Sequence, residues 1–135
     1  MISSDVIRGY NDTMILHILM EQDSYGYEIS REIEKRSGGK YVMKETTLYS
    51  AVTRMEKRGL ISAYHGGESF GRARTYYTIT DLGRQHYREK CAEWSVTRQV
   101  IDQFTDSPLQ PSAPVSSSLL AMNRQSLPKK GMITK

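Results

Sequence analysis

The sequence contains a single cysteine, Cys91, so no disulfide can close within the chain. It also has no unbroken apolar stretch as long as a membrane-spanning helix or the core of a signal peptide. These absences argue against a disulfide-stabilised secreted domain and against an integral membrane protein. We therefore expect a protein of the reducing cytoplasm with no membrane partner.

Catalytic and metal-binding patterns are missing as well. The three histidines, His17, His65 and His86, fall on three different predicted elements, and none has a partner at catalytic spacing. His86 and Cys91 are five residues apart, which would separate them by about 140° around a helix. No glycine-rich phosphate-binding loop occurs in the sequence. We expect neither an enzyme nor a metal or cofactor site.

The net charge gives little support to nucleic-acid binding when it is located along the chain. The whole sequence has a formal charge of +4, but residues 105–135 contain four basic residues and one acidic residue, which leaves +1 for residues 1–104. Any surface that binds phosphates must therefore arise from a local cluster of lysine and arginine.

Proline is confined to the carboxyl-terminal end. All four prolines lie after residue 107, in a stretch rich in serine and poor in regularly spaced apolar residues. Repeated proline interrupts helices and strands, and so little apolar surface cannot offset the entropy lost on ordering. We predict a flexible tail, containing proline and serine, over residues 105–135.

The first sixty residues have the apolar spacing of three helices. The first is predicted over residues 4–20, and the second begins with Ser24 as its N-cap and ends before Ser37-Gly38-Gly39. The third is predicted to begin with Thr46 as its N-cap and to stop at Gly59. The first helix should direct to the core the side chains of Val6, Ile7, Tyr10, Met14, Ile15, Ile18 and Leu19.

Two β-prone runs, LISAYHG and RTYYTIT, follow the third helix and are joined by the glycine-containing GESFGRA, which predicts a hairpin. Three helices followed by a hairpin is the element order of a winged helix-turn-helix, in which the third helix enters the major groove. The predicted fold is mainly α with a small β-hairpin. The winged helix-turn-helix domain should occupy residues 1–80.

A fourth helix, capped by Thr80 and Asp81, is predicted over residues 81–104. Its length of about 24 residues gives roughly 36 Å, more than a small domain needs. Part of its apolar surface would face solvent in a monomer, which favours packing against a second copy of the chain. The predicted dimer interface consists of Tyr87, Cys91, Trp94, Val100, Ile101 and Phe104.

The third helix and the hairpin carry the groups that DNA binding needs. The spacing of the helix puts Thr47, Ser50 and Arg54 on the face opposite the core, and no carboxylate occurs over residues 46–55. Hydroxyl and guanidinium groups can contact phosphates and base edges. The hairpin segment SFGRARTYYTIT contains two arginines and no acid, which predicts a basic wing tip that binds phosphates or a minor groove.

Four motifs also occur in a fixed order within residues 5–104. They are YGYEI at residues 25–29, TLY at 47–49, RMEKRGLI at 54–61, and Arg74 followed by Tyr76-Tyr77 and Thr80. Together they resemble the successive signatures of the PadR family of transcriptional regulators. His17 departs from that pattern, because the family usually has a small or aliphatic residue at this position of the first helix.

The resemblance implies a homodimeric repressor of the short form, with one dimerisation helix, that binds double-stranded DNA. It also implies release from the operator by a small aromatic or amphipathic effector. Trp94 matches an aromatic position that lines an effector cavity in some relatives, with Tyr87 and Val96 as neighbours, although Trp94 could equally be an interface anchor. The DNA-facing residues that the resemblance implies are Lys44, Thr47, Tyr49, Ser50, Arg54, Arg72 and Arg74.

A winged helix can instead serve as a protein-interaction module that does not bind DNA, and the nearly neutral charge of residues 1–104 is compatible with that role. The basic hairpin argues against it. The two interpretations differ in salt dependence, because neutralising phosphates makes affinity fall steeply with salt.

Overall fold

Helices make up most of the described residues, and a small antiparallel sheet completes the fold. The computed structural model describes residues 2–69 and 72–106, with the backbone alone for residues 67–69, 72 and 73. In chain order the elements are α1 (Ser4–Ile7), a 3-10 helix (Arg8–Tyr10), α2 (Asn11–Glu21), β1 (Ser24–Tyr25), α3 (Gly26–Arg36), α4 (Glu45–Lys57), β2 (Ile61–Ser69), β3 (Arg72–Ile79) and α5 (Asp81–Asp102). The predicted class, a mainly α winged helix-turn-helix followed by a long helix, is confirmed.

The first predicted helix is interrupted, so the prediction of one continuous helix over residues 4–20 was wrong. Tyr10 leaves the helical region with φ −118° and ψ 2°, and the preceding Gly9 favours a break because glycine is a poor helix former. The interruption also changes which residues are buried. Val6 was expected in the core, but it is 69% exposed.

The sheet contains a strand that the sequence did not predict. Ser24 and Tyr25 form β1, which pairs antiparallel with Tyr77 and Tyr76 of β3, and the strand order is β1-β3-β2. The expected role of Ser24 as a helix cap was therefore wrong. The buried Ser24 hydroxyl instead donates to the carboxylate of Glu28 at 2.5 Å. The edge of β3 supplies hydrogen-bond partners that local spacing cannot reveal.

Glycines end α3 and α4 as predicted. Gly38, Gly39 and Gly59 have φ values of 64°, 79° and 78°, a left-handed conformation that glycine adopts without steric cost. The start of α4 differs from the prediction. The helix begins at Glu45, Lys44 occupies the N-cap, and no side chain caps it, so the assignment of Thr46 as the cap was wrong.

One apolar core joins α2, α3, α4 and the sheet. Its fully buried side chains include Ile15 and Leu16 of α2, Ile29 of α3, and Met55 of α4. Because α4 directs one face into this core, its opposite face is held outward in a fixed orientation. The core therefore positions the outward face of α4.

The start of α5 is fixed by Thr80, as predicted. The Thr80 hydroxyl accepts a hydrogen bond from the N–H of Gly83 at 3.0 Å and donates one to the carbonyl of Gly59 at 2.7 Å. The helix ends at Asp102, two residues before the predicted end. None of the helices within the described ranges combines the length and apolar character that a membrane span requires.

The chain divides into two units. Residues up to Val96 form one unit, and the chain from Thr97 belongs to a second. Of the second unit the structure describes residues 97–106, which comprise the last turns of α5 and the four residues after it. The predicted tail over residues 105–135 lies outside the described residues except for Thr105 and Asp106.

Candidate nucleic-acid interface

The outward face of α4 presents small polar groups and one guanidinium. Its inward face is closed off by Leu48, Ala51, Val52 and Met55, none more than 2% exposed. On the other side Tyr49, Ser50 and Arg54 are exposed and Thr47 is half-buried. The spacing therefore brings Thr47, Ser50 and Arg54 to one side of the helix. Tyr49 lies on the flank of this side, beside Ser50 and Arg54. Hydroxyls and a guanidinium in this arrangement can contact phosphates and base edges.

A hollow separates this face from the start of α2. It is lined by Arg8, Asn11, Thr46, Thr47, Ser50, Ala51 and Arg54. Lys44, exposed just before α4, borders an adjoining hollow together with Thr46 and Thr47. The predicted residues before and on α4 thus share a continuous surface. Arg8 is an additional basic residue on it, and the pattern of α4 alone could not identify it.

Arg54 is paired with an acid from another helix. Its Nη2 donates to Oδ1 of Asp12 in α2 at 2.5 Å. The Asp12 side chain is 20% exposed, and that of Arg54 is 52% exposed. A carboxylate of α2 therefore borders the outward face of α4, although residues 46–55 contain no carboxylate themselves. The contact joins residues 42 positions apart, so sequence spacing gave no signal for it.

Tyr49 lies over the first residue of α3. A Cβ atom added to Gly26 would stand 2.8 Å from Cζ of Tyr49 and would also overlap its hydroxyl oxygen. Only glycine allows this approach without moving the ring. The glycine of the YGYEI segment therefore sets the position of an exposed tyrosine on α4.

Of the two hairpin arginines, the structure describes the side chain of Arg74 only. The guanidinium of Arg74 is 4.0 Å from the ring centroid of Tyr25 in β1, so this side chain is stacked at the base of the wing. Arg74 thus lies against β1, and its contact with DNA stays a prediction. Arg72 lies at the start of β3, and its side chain is outside the described part of the chain.

Three tyrosines fix the base of the wing. The ring of Tyr76 stands edge-on to Tyr25 at 5.5 Å and stacks on Tyr64 at 5.7 Å. The Tyr64 hydroxyl donates to Oδ2 of Asp23 at 2.6 Å, and this hydrogen bond lowers the pKa of the Asp23 carboxyl. The wing is thereby attached to the turn before α3.

Two residues of α5 that were predicted in the dimer interface contact other residues of the same chain. The Tyr87 hydroxyl and Nδ1 of His17 share a hydrogen bond of 2.7 Å, and Tyr87 packs against the core. Burial raises the pKa of the Tyr87 phenol. Trp94 stands edge-on to Tyr10 at 5.0 Å and is 45% exposed. His17, which departs from the family pattern, is thus the hydrogen-bond partner of a residue expected in the dimer interface.

The remaining predicted residues of α5 are exposed. Cys91 and Val96 face solvent in the first unit, and Val96 is two positions from Trp94, about 200° around the helix. In the second unit Val100, Ile101 and Phe104 are exposed by 50%, 52% and 82%. Within residues 2–69 and 72–106, no three His, Cys, Asp or Glu side chains are grouped to hold a metal ion.

The helix-turn-helix of α3 and α4, with a hairpin attached beside it, defines a winged helix-turn-helix protein of the DNA-binding class. Residues 15–89 match the Transcriptional regulator PadR-like family. The chain belongs to this family and is a DNA-binding transcriptional regulator, not an enzyme.

Three individual proteins are similar to this chain over 70% of its length or more. The chain is 44% identical over 106 residues to "Uncharacterized protein X" of Lysinibacillus sphaericus, covering 78% of this chain and 97% of that protein. A transcriptional regulator from Clostridium thermocellum is 55% identical, with a TM-score of 0.73 over 78% of this chain and 100% of its own. A PadR family transcription regulator from Clostridium difficile is 38% identical, with a TM-score of 0.61 over 70% of this chain and 97% of its own.

Proposed function

We propose that this regulator is a cytoplasmic homodimeric repressor that leaves its operator when a small aromatic or amphipathic molecule binds. The observation that carries the proposal is the exposed apolar surface of α5. Trp94, Val96, Val100 and Ile101 of α5, and Phe104 just after its end, are each between 45% and 82% exposed. So much exposed apolar surface is costly in water, and a second copy of the helix would cover the side that carries Trp94 and Ile101.

Dimerisation would place two α4 helices on one face of the DNA. Successive major grooves are about 34 Å apart, so a symmetric dimer would read two half-sites of a pseudo-palindrome. The proposed DNA contacts come from Lys44, Thr47, Tyr49, Ser50, Arg54, Arg72 and Arg74. Selecting bound fragments from the genome that encodes the protein tests this, since the enriched fragments should share an inverted repeat. Fragments with no common sequence would contradict it.

Removing both wing arginines should weaken DNA binding in a salt-dependent way. Each phosphate contact contributes about 0.9 to the slope of log affinity against log salt. In the double variant Arg72→Ala, Arg74→Ala, the slope on a random duplex should therefore fall by roughly 2 per subunit. Fluorescence anisotropy between 50 and 300 mM salt measures it. The control Arg88→Ala, Arg98→Ala removes two charges from α5 and should keep the slope, whereas an unchanged slope in the wing variant would contradict the assignment.

The proposed effector site centres on Trp94. Tyr87 is seven residues earlier, on the same side of α5, but its hydroxyl is already bonded to His17. Val96 lies on another side of the helix, so it would reach a shared cavity only from the second copy. An effector that favours a dimer with a different α4 spacing weakens operator binding by its differential affinity, typically about 1–3 kcal/mol.

Trp94 is the only tryptophan, so its fluorescence reports directly on this site. We expect a planar aromatic cation to quench the emission saturably and to release operator DNA over the same concentration range. The measurement is a titration, corrected with N-acetyltryptophanamide under identical conditions. Emission that stays flat for a broad compound panel would mean that Trp94 only packs against Tyr10 and the partner.

A further inference from the structure

We propose that Asp12 is a positioning residue for DNA recognition, which holds Arg54 in place and thereby sets the base preference of the regulator. The proposal rests on the proposed function, in which α4 enters the major groove. Asp12 lies on α2 and would not itself contact a base. Its effect would act through the guanidinium of Arg54.

The contact geometry is suited to presenting a guanidinium. Asp12 Oδ1 accepts one N–H of Arg54 from Nη2, and a guanidinium has five N–H donors in a rigid planar fork. The donors that remain include one parallel pair, and a parallel pair is what O6 and N7 of guanine accept. Arg54 keeps half of its side chain exposed, so the paired guanidinium is still accessible to a ligand.

Position on the surface supports the same role. Arg54 lines the hollow that also contains Thr47 and Ser50 of α4 and Arg8 before α2. An arginine in solution samples many rotamers, and fixing it before binding reduces the entropy lost on the DNA. Asp12 would therefore strengthen a directional hydrogen-bonded contact between Arg54 and a base more than a purely electrostatic contact between Arg54 and a phosphate.

The negative charge of Asp12 would weaken non-specific binding to DNA. A carboxylate within a Debye length of the phosphates repels them, so it weakens any mode in which Arg54 acts as a simple cation. A carboxylate held against α4 would thus favour binding to the operator over binding to random DNA. An ion pair with only a structural role would not change operator affinity and non-specific affinity in opposite directions. Exposed pairs of this kind also contribute little to stability.

The chain supplies a matched control at the other end of α2. Arg36 Nη2 donates to Glu21 Oε1 at 2.6 Å, also in an exposed ion pair between two helices, with side chains 40% and 50% exposed. Glu21→Gln removes one carboxylate from α2, as Asp12→Asn does, but Arg36 lines neither of the hollows beside α4. Any general effect of losing one carboxylate from α2 appears in both variants.

The test is selection from a randomised duplex library with the wild-type protein, Asp12→Asn and Glu21→Gln, followed by titrations on the selected operator and on a random duplex. For Asp12→Asn we expect loss of a guanine preference at one position per half-site and about 3- to 10-fold weaker operator binding. Affinity for the random duplex should be unchanged or higher. Glu21→Gln should select the wild-type sequences.

Arg54→Met provides the second arm. It should lose the same base preference, and adding Asp12→Asn to it should leave the selected sequences unchanged, whereas overall affinity should rise because one carboxylate is lost. The proposal is overturned if Asp12→Asn selects wild-type sequences with wild-type affinity, or if it weakens operator and random duplex equally. Failure of the proposed function is a separate result, because the wild-type protein would then select no sequence.

Discussion

Ile101→Glu should convert the protein into a monomer and lower its affinity for a complete operator by about 100-fold or more. Ile101 is half-exposed on the last turns of α5, where the proposed partner helix would bury it. A glutamate there would have to be desolvated without a counter-charge. In a dimer, binding of one α4 helix to its half-site raises the effective concentration of the second α4 helix at the other half-site. This increases the affinity for the complete operator, and a monomer lacks the increase.

Sedimentation velocity gives the oligomeric state, and anisotropy gives the affinity. Binding to a duplex with a single half-site should be unchanged, which separates loss of the dimer from damage to the DNA-binding surface. Gln99→Glu is the matched control, because it adds the same charge at an exposed position two residues away. We expect Gln99→Glu to stay dimeric. Val100→Glu should behave like Ile101→Glu, and variants that remain dimeric would show that the interface lies elsewhere.

Three of the proposed DNA-facing side chains are held by residues that precede α4. Arg54 pairs with Asp12, Tyr49 lies over Gly26, and Arg74 stacks on Tyr25. The residues that touch these side chains belong to α2, α3 and β1, which also pack against the core or the sheet. Preorganised side chains lose less entropy on binding. The proposed DNA-binding surface is therefore set by contacts between elements as well as by the face of one helix.

Sequence reasoning worked where the controlling interactions are local. Glycine at the ends of α3 and α4 and the cap at Thr80 act within a few residues, and the inward face of α4 follows from its period. The strand β1 could not be found this way, because Ser24 and Tyr25 are strand residues only beside β3. The same holds for Arg54 and Asp12, since a pair 42 residues apart has no local signature.

The start of α5 tolerates no side chain at Gly83, so Gly83→Ala should destabilise the protein strongly. An added Cβ would overlap the carbonyl oxygen of Leu60 and approach Cγ1 of Ile79 to 2.8 Å. The Leu60 carbonyl also accepts the N–H of Thr80 at 3.1 Å, so that backbone group cannot turn away freely. Overpacking of this kind costs about 1–3 kcal/mol, and a domain of this size should melt roughly 5–20 °C lower.

Gly9→Ala is the control, because an added Cβ there meets nothing within 4 Å. Without a clash, Gly→Ala mainly restricts the unfolded chain, which should leave stability unchanged or raise it by up to about 1 kcal/mol. Both variants are melted at one protein concentration, since the proposed dimerisation would make the midpoint depend on concentration. If Gly83→Ala melts no lower than Gly9→Ala, α5 can shift away from Leu60. The link from the wing to α5 would then be looser than the contact indicates.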